Sequence, residues 1–372
     1  MHDSYAETSE IGNGRKLQVK KIIYIEFYVG NANQAAYYYR SVFGLLPVSY
    51  SALETGSRER VSYMLERADI RIVLTSAIDP DSPISEHVKL HGDSVKDIAF
   101  EVDDAVTAFE ESIKHSARPV MEPTRLECDD GVVIKATVGT FGQTVHSFIQ
   151  KEGAGGSHLP GYRPISVSPE INVGGLKSID HIAIGVETGK LDQWVDFYTT
   201  ALGFHQSHQE NVATEYSAMK SKVVQNSNGL VKFPVMEPVA GKRRSQIEEF
   251  LSFHKGAGAQ HVALLTDDII SSVRGLRAIY LDFLRTPGAY YDALEERVGR
   301  LGNKLEALRK ENILVDRDEW GLLLQIFTKP VQSRPTLFFE IIQRLGARGF
   351  GGGNIRALFE AVEREQARRG TL

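Results

Sequence analysis

The chain has 372 residues, 42% hydrophobic and 24% charged, which is ordinary for a globular protein and long enough for about two domains. A net charge of -5 gives no case for nucleic acid or an acidic membrane surface, and a single cysteine, Cys128, excludes an internal disulfide framework. No apolar run approaches about 18 residues, and the polar, acidic start Met1–Glu7 is not a signal peptide, so a cytoplasmic protein is expected.

After a frayed tail to about Leu17, the run Ile23–Val29 alternates as a strand does. It leads into a helix-like segment ending Tyr39-Arg40-Ser41-Val42-Phe43-Gly44. A second strand, Asp97–Asp104, also leads into a helix, and a third, Val145–Lys151, closes the first half. The Gly/Pro-rich stretch that follows, with Gly153, Gly155, Gly156, Pro160 and Pro164, has no periodicity and reads as a linker. Beyond it the pattern recurs in the same order. Ile179–Val186 leads to an aromatic helix ending at Gly203, His261–Asp268 matches Asp97–Asp104, and Phe338–Arg344 matches Val145–Lys151. The chain is therefore read as a duplication. Its expected parts are an N-terminal structural domain over 18–152, lacking metal ligands and serving self-association, a linker over 153–175, and a catalytic domain over 176–372.

The second half carries an insertion from Thr286, read as a helix over Tyr290–Leu308 that packs between subunits. It closes with Gly351-Gly352-Gly353-Asn354 and a helix striped by Ile355, Leu358, Phe359 and Val362. Asn354 is the expected N-cap, and the glycines would let the helix swing as a lid.

One carboxylate, Glu340, sits inside an apolar strand and needs a partner if it is buried. His181 and His261 each stand alone among apolar neighbours in strands. A lone strand histidine is usually a satisfied core residue. Overlaying the halves, however, puts His181 opposite Tyr24, His261 opposite Asp97 and Glu340 opposite Ser147. The set is complete in one half and absent from the other. Two histidines and a carboxylate on one face of a metal are the arrangement of non-haem Fe(II) oxygenases. The pair His205 and His208 reads as a solvated turn, and His146 and His158 as surface residues.

The motifs Arg244–Phe250, Gly256-Ala257-Gly258-Ala259-Gln260-His261, Ile313–Gly321, Leu324–Pro330, Phe339–Arg344 and Gly349–Asn354 resemble those of the 4-hydroxyphenylpyruvate dioxygenase family. That family belongs to the vicinal oxygen chelate superfamily. The resemblance covers nearly the whole chain. It implies an α+β fold of two tandem domains of paired βαβββ modules, each an open mixed-sheet barrel, with a C-terminal helix closing the site. It implies Fe(II) held by His181, His261 and Glu340, a 2-oxo acid and O2 as small-molecule partners, and a homo-oligomer, dimer or tetramer. The implied reaction converts 4-hydroxyphenylpyruvate to homogentisate and CO2, in tyrosine catabolism. By the same resemblance Gln246, Gln260 and Gln325 would orient the ligand, and Ser221 and Pro234 would line the ring end. Phe327, Phe338 and Phe359 would pack on the ring, with Phe350 and the last helix closing over it.

Two positions depart from the family pattern. Met236 stands where Asn is usual in Pro234-Val235-Met236-Glu237-Pro238, and Ile355 follows Asn354 where Phe is common. An amide contact and an aromatic wall are lost near the ring. Both point toward the related 4-hydroxymandelate synthase, or a relative acting on another aryl or alkyl 2-oxo acid. A metal-free binding protein on the same modules is the reading from another class.

Overall fold

Alternating strands and capped helices assemble into four βαβββ modules. The computed structural model describes residues 17–128, 131–152, 159–166 and 175–371. The polar start, His158 and much of the expected linker lie outside them. The first module is β1 (Val19–Tyr28), α1 (Ala32–Phe43), β2 (Leu46–Ser51), β3 (Arg60–Arg67) and β4 (Ile70–Ala77). Helix α2 (Pro83–His91) leads to the second: β5 (Ser94–Val102), α3 (Ala105–Lys114), β6 (Arg118–Cys128), β7 (Gly131–Gly139) and β8 (Val145–Glu152). A short strand β9 (Arg163–Pro164), inside the expected linker, pairs with β2.

The third module is β10 (Leu176–Gly185), α4 (Leu191–Ala201), β11 (His205–Ala213), β12 (Ala218–Gln225) and β13 (Lys232–Val239). Helix α5 (Gln246–His254) leads to β14 (Gly258–Thr266) and α6 (Ile269–Ala278). Three short helices follow, α7 (Gly288–Asp292), α8 (Leu294–Val298) and α9 (Lys304–Lys310). Then come β15 (Leu314–Arg317), β16 (Leu322–Phe327), β17 (Phe338–Leu345) and α10 (Gly352–Arg369).

Each half forms one mixed sheet, ordered β6-β7-β8-β5-β1-β4-β3-β2-β9 and β11-β12-β13-β10-β14-β17-β16-β15. The registers bear out the overlay of the halves. In β14 and β17 Ala263 faces Glu340, and in β5 and β8 Ala99 faces Ser147. Across the antiparallel pairs His181 faces Ala263 as Tyr24 faces Ala99.

Helices α1 and α4 lie against their own half's sheet and also touch a strand of the other half. Tyr39 and Phe43 of α1 pack on Phe339 of β17, at ring distances of 5.9 and 4.8 Å. In the mirrored contact Tyr198 of α4 meets His146 of β8, its hydroxyl 2.8 Å from Nε2. One continuous apolar cluster therefore contains residues of both halves. A fourth repeat pair, not seen in the sequence, joins them at α2 and α5. Each is capped by a serine, Ser82 or Ser245, and ends in a histidine, and His91 and His254 stack at 4.5 Å.

Several expectations change. His146 is not at the surface; it is wholly buried and bridges the halves. His205 and His208 lie on strand β11 rather than in a turn. The insertion is not one helix, because Gly299 and Gly302 adopt positive φ and break it. Its apolar residues Tyr291, Leu294, Val298 and Leu308 are buried within this chain. Helix α10 begins two residues before Asn354, with Gly351 as its cap. Gly351 takes a positive φ of 72°, a conformation that favours glycine at the helix start.

Candidate metal centre and cavity

Three adjacent strands present His181, His261 and Glu340 on one face because the pleat points those register positions inward together. All three are buried, and one ligand atom from each lies within 4.8 Å of the others. Glu340 Oε2 is 3.2 Å from His181 Nε2 and 3.6 Å from His261 Nε2. The outer ring nitrogens are taken up elsewhere. His181 Nδ1 lies 2.8 Å from Asp180 Oδ1, and His261 Nδ1 3.2 Å from Gln260 Oε1. Such outer contacts fix the ring so that Nε2 faces the centre.

Asp180 is itself held. Arg344 donates to it from Nε and Nη2 at 2.7 and 2.8 Å. Burial alone would raise the Asp180 pKa, yet the Arg344 guanidinium holds it well below the usual carboxylate range. Burial likewise opposes charge on His181, but the Glu340 and Asp180 carboxylates outweigh it and raise that pKa. Burial and the neighbouring His181 hold His261 well below the usual imidazole range. Two imidazole nitrogens and a carboxylate oxygen this close are a donor set that could hold a divalent cation.

The far oxygen of Glu340 is fixed by a chain of amides. Gln325 Nε2 donates to Glu340 Oε1 at 2.8 Å, and Asn354 Nδ2 donates to Gln325 Oε1 at 2.8 Å. Asn354 Oδ1 in turn lies 2.8 Å from the Tyr290 hydroxyl, which Arg297 also contacts. The insertion thus holds the carboxylate with one oxygen facing the histidines and the other committed.

A cavity opens beside the triad. Of the residues expected from sequence, Ser221, Pro234, Met236, Gln246, Gln260, Gln325, Phe327, Phe350 and Ile355 line it with the triad. Phe338, Asn354 and Phe359 do not. Phe338 stacks flat on His261 at 4.8 Å, Asn354 is committed to Gln325, and Phe359 packs in a cluster with Met236 and Ile247. They support the walls from behind. Sequence reasoning missed His208, Glu210, Met219, Val223 and Leu358. Strand alternation carries Met219 and Val223 to the face that Ser221 occupies, so those two were accessible from period-two counting. His208 and Glu210 also share a face, with His208 Nε2 2.9 Å from Glu210 Oε1. Gln246 Oε1 is buried with no hydrogen-bond partner among the described residues, an acceptor suited to a ligand.

The chain is similar to several known proteins. The family model described as Glyoxalase/Bleomycin resistance protein/Dioxygenase superfamily matches residues 21–145 and 178–326. Among relatives, 4-hydroxyphenylpyruvate dioxygenase of Neurospora crassa is 42% identical over 94% of this chain and 92% of its own. That of Dictyostelium discoideum is 40% identical over 94% and 99%. Among solved structures, a triple mutant of 4-hydroxymandelate synthase from Streptomyces coelicolor superposes with a TM-score of 0.84. It is 37% identical, covering 94% of this chain and 99% of that one.

Proposed function

The chain belongs to the 4-hydroxyphenylpyruvate dioxygenase family of the glyoxalase and dioxygenase superfamily, and we propose that it converts 4-hydroxyphenylpyruvate and O2 to homogentisate and CO2 with Fe(II). The observation that carries this reading is the buried triad opening on an apolar cavity edged by glutamines. His181 Nε2, His261 Nε2 and Glu340 Oε2 would hold the ion. When bound, iron supplies a Lewis-acidic seat for the oxo acid and reduces O2.

The remaining work falls to the chain's own residues. Asp180 and Gln260 keep the imidazoles turned inward, and Gln325 keeps Glu340 to a single facing oxygen. Gln246 offers its free acceptor to the bound acid. Phe327, Phe350, Val223 and Leu358 exclude water from the reacting ring. The N-terminal half, 18–152, is read as the structural half, and the chain as a homo-oligomer.

Met236 and Ile355 favour a second reading, benzylic hydroxylation to 4-hydroxymandelate, since both face the cavity where the ring would lie. The test is anaerobic Fe(II) reconstitution, then 4-hydroxyphenylpyruvate and air, with products separated by mass and retention. Homogentisate is the expected product. 4-Hydroxymandelate would establish the second reading, and no bound iron would leave a metal-free binding protein.

A further inference from the structure

The N-terminal half has a cavity of its own, and it is the counterpart of the catalytic one. Tyr24 holds the register position of His181. Counting along the paired strands gives two more matches. Lys135 stands two residues before Thr137, the partner of Ser147, as Gln325 stands two before Phe327, the partner of Glu340. Arg60 occupies the place of Met219 by the same count. All three N-terminal residues line the N-terminal cavity, and their three counterparts line the catalytic one.

The chemistry of the walls has changed. Lys135 points its ammonium to within 3.1 Å of the Tyr24 hydroxyl and 3.7 Å of Asp97 Oδ2. A fixed cation therefore stands where the other half gathers ligands for one. Arg60, Arg71 and Lys151 also line the cavity, against one acid among the described residues, Glu26. Asp97 neutralises Lys135, Glu66 pairs with Arg71 at 2.5 Å, and Glu26 acts on Arg60. Lys151 has no acidic partner among the described residues, which leaves one positive charge in surplus. Ile23, Val133 and Ile149 supply apolar walls, and Tyr24 and Tyr162 supply rings. Apolar walls with a few converging polar groups characterise small-molecule sites.

We propose that this cavity binds a small apolar monocarboxylate, its charge drawn to Arg60, Lys135 and Lys151 and its body against the isoleucines and tyrosine rings. One anion matches the surplus charge, and the walls suit a hydrocarbon body better than a hydrated inorganic ion.

The test uses the full chain with isoleucine methyl groups labelled for NMR, titrated with benzoate. Ile23 and Ile149 report on this cavity and Ile355 on the catalytic one, so the two sites are read separately. Saturable shifts at Ile23 and Ile149 are expected. The double variant Arg60→Ala/Lys151→Ala should weaken them by at least about tenfold, since the loss of even one charge-assisted contact costs about that much, with the rest of the spectrum unchanged. Shifts confined to Ile355, or an affinity untouched by the double variant, would overturn the proposal. Inorganic phosphate acting as well as benzoate would also overturn it, because the apolar walls would then contribute nothing.

Discussion

The two halves fold alike and solve opposite electrostatic problems. At matching register positions one has His181, His261, Glu340 and Gln325, and the other has Tyr24, Asp97, Ser147 and Lys135. In the C-terminal half, buried nitrogen and oxygen donors converge and call for a cation from outside. In the N-terminal half the side chains at those positions pair with one another. Ser147 Oγ donates to Asp97 Oδ2 at 2.6 Å, and Lys135 supplies the positive charge. The strand geometry sets where side chains meet, and their chemistry decides whether they meet around a metal.

The largest expected effect breaks that symmetry outright. His261→Ala should abolish turnover and metal binding while circular dichroism shows the fold intact. Asp97→Asn at the matching position should leave the metal content unchanged, as read by metal analysis of the purified protein. Equal loss of metal from both variants would contradict the division of labour between halves.

A smaller effect is expected one step out. Asp180→Asn keeps the shape beside His181 but removes the charge that orients it, and should weaken metal binding by about 10- to 100-fold. Competitive titration with a chelator would read this directly. An unchanged affinity would mean the Arg344–Asp180 pair serves folding alone.

The smallest effect concerns protons. Burial pushes His87 and His146 down to about 3 and His254 to about 4. In the unfolded chain imidazoles titrate near 6.5. Between about pH 6.5 and 4 the unfolded chain therefore binds more protons. This contribution to stability is complete above pH 6.5 and is lost as pH falls, at up to about 1.4 kcal/mol per pH unit for each histidine. His146→Phe gives this position the aromatic character of its counterpart Phe339, and should lower the slope by one proton. Urea unfolding between pH 7 and pH 5 measures it; an unchanged slope would count against His146 as a titrating element.

Much of this was legible in the sequence, because duplication exposes function. The triad stood out as positions where one copy carries donors and the other does not, and the strand registers preserve that overlay. The cavity-facing glutamines and Ser221 came through the family resemblance. What stayed hidden depends on packing. The loneliness of His146 in its strand resembled that of a surface residue, whereas its partner Tyr198 lies 52 residues away in the other half. Phe338 and Phe359 looked like ring contacts because spacing shows which face a residue occupies but not its depth behind that face. The breaks in the insertion followed from glycines at positive φ, which a helical spacing of leucines masked.

The crossed helices bear on how the chain folds. Because Tyr39 and Phe43 of α1 meet Phe339 of β17, and Tyr198 of α4 meets His146 of β8, part of each half's apolar surface is buried only by contacts between residues far apart in sequence. Duplication has therefore not produced two independent folding units. Unfolding should be a single cooperative transition spanning both halves. A C-terminal half expressed alone would present the Phe339 surface to water and associate with whatever apolar surface it met.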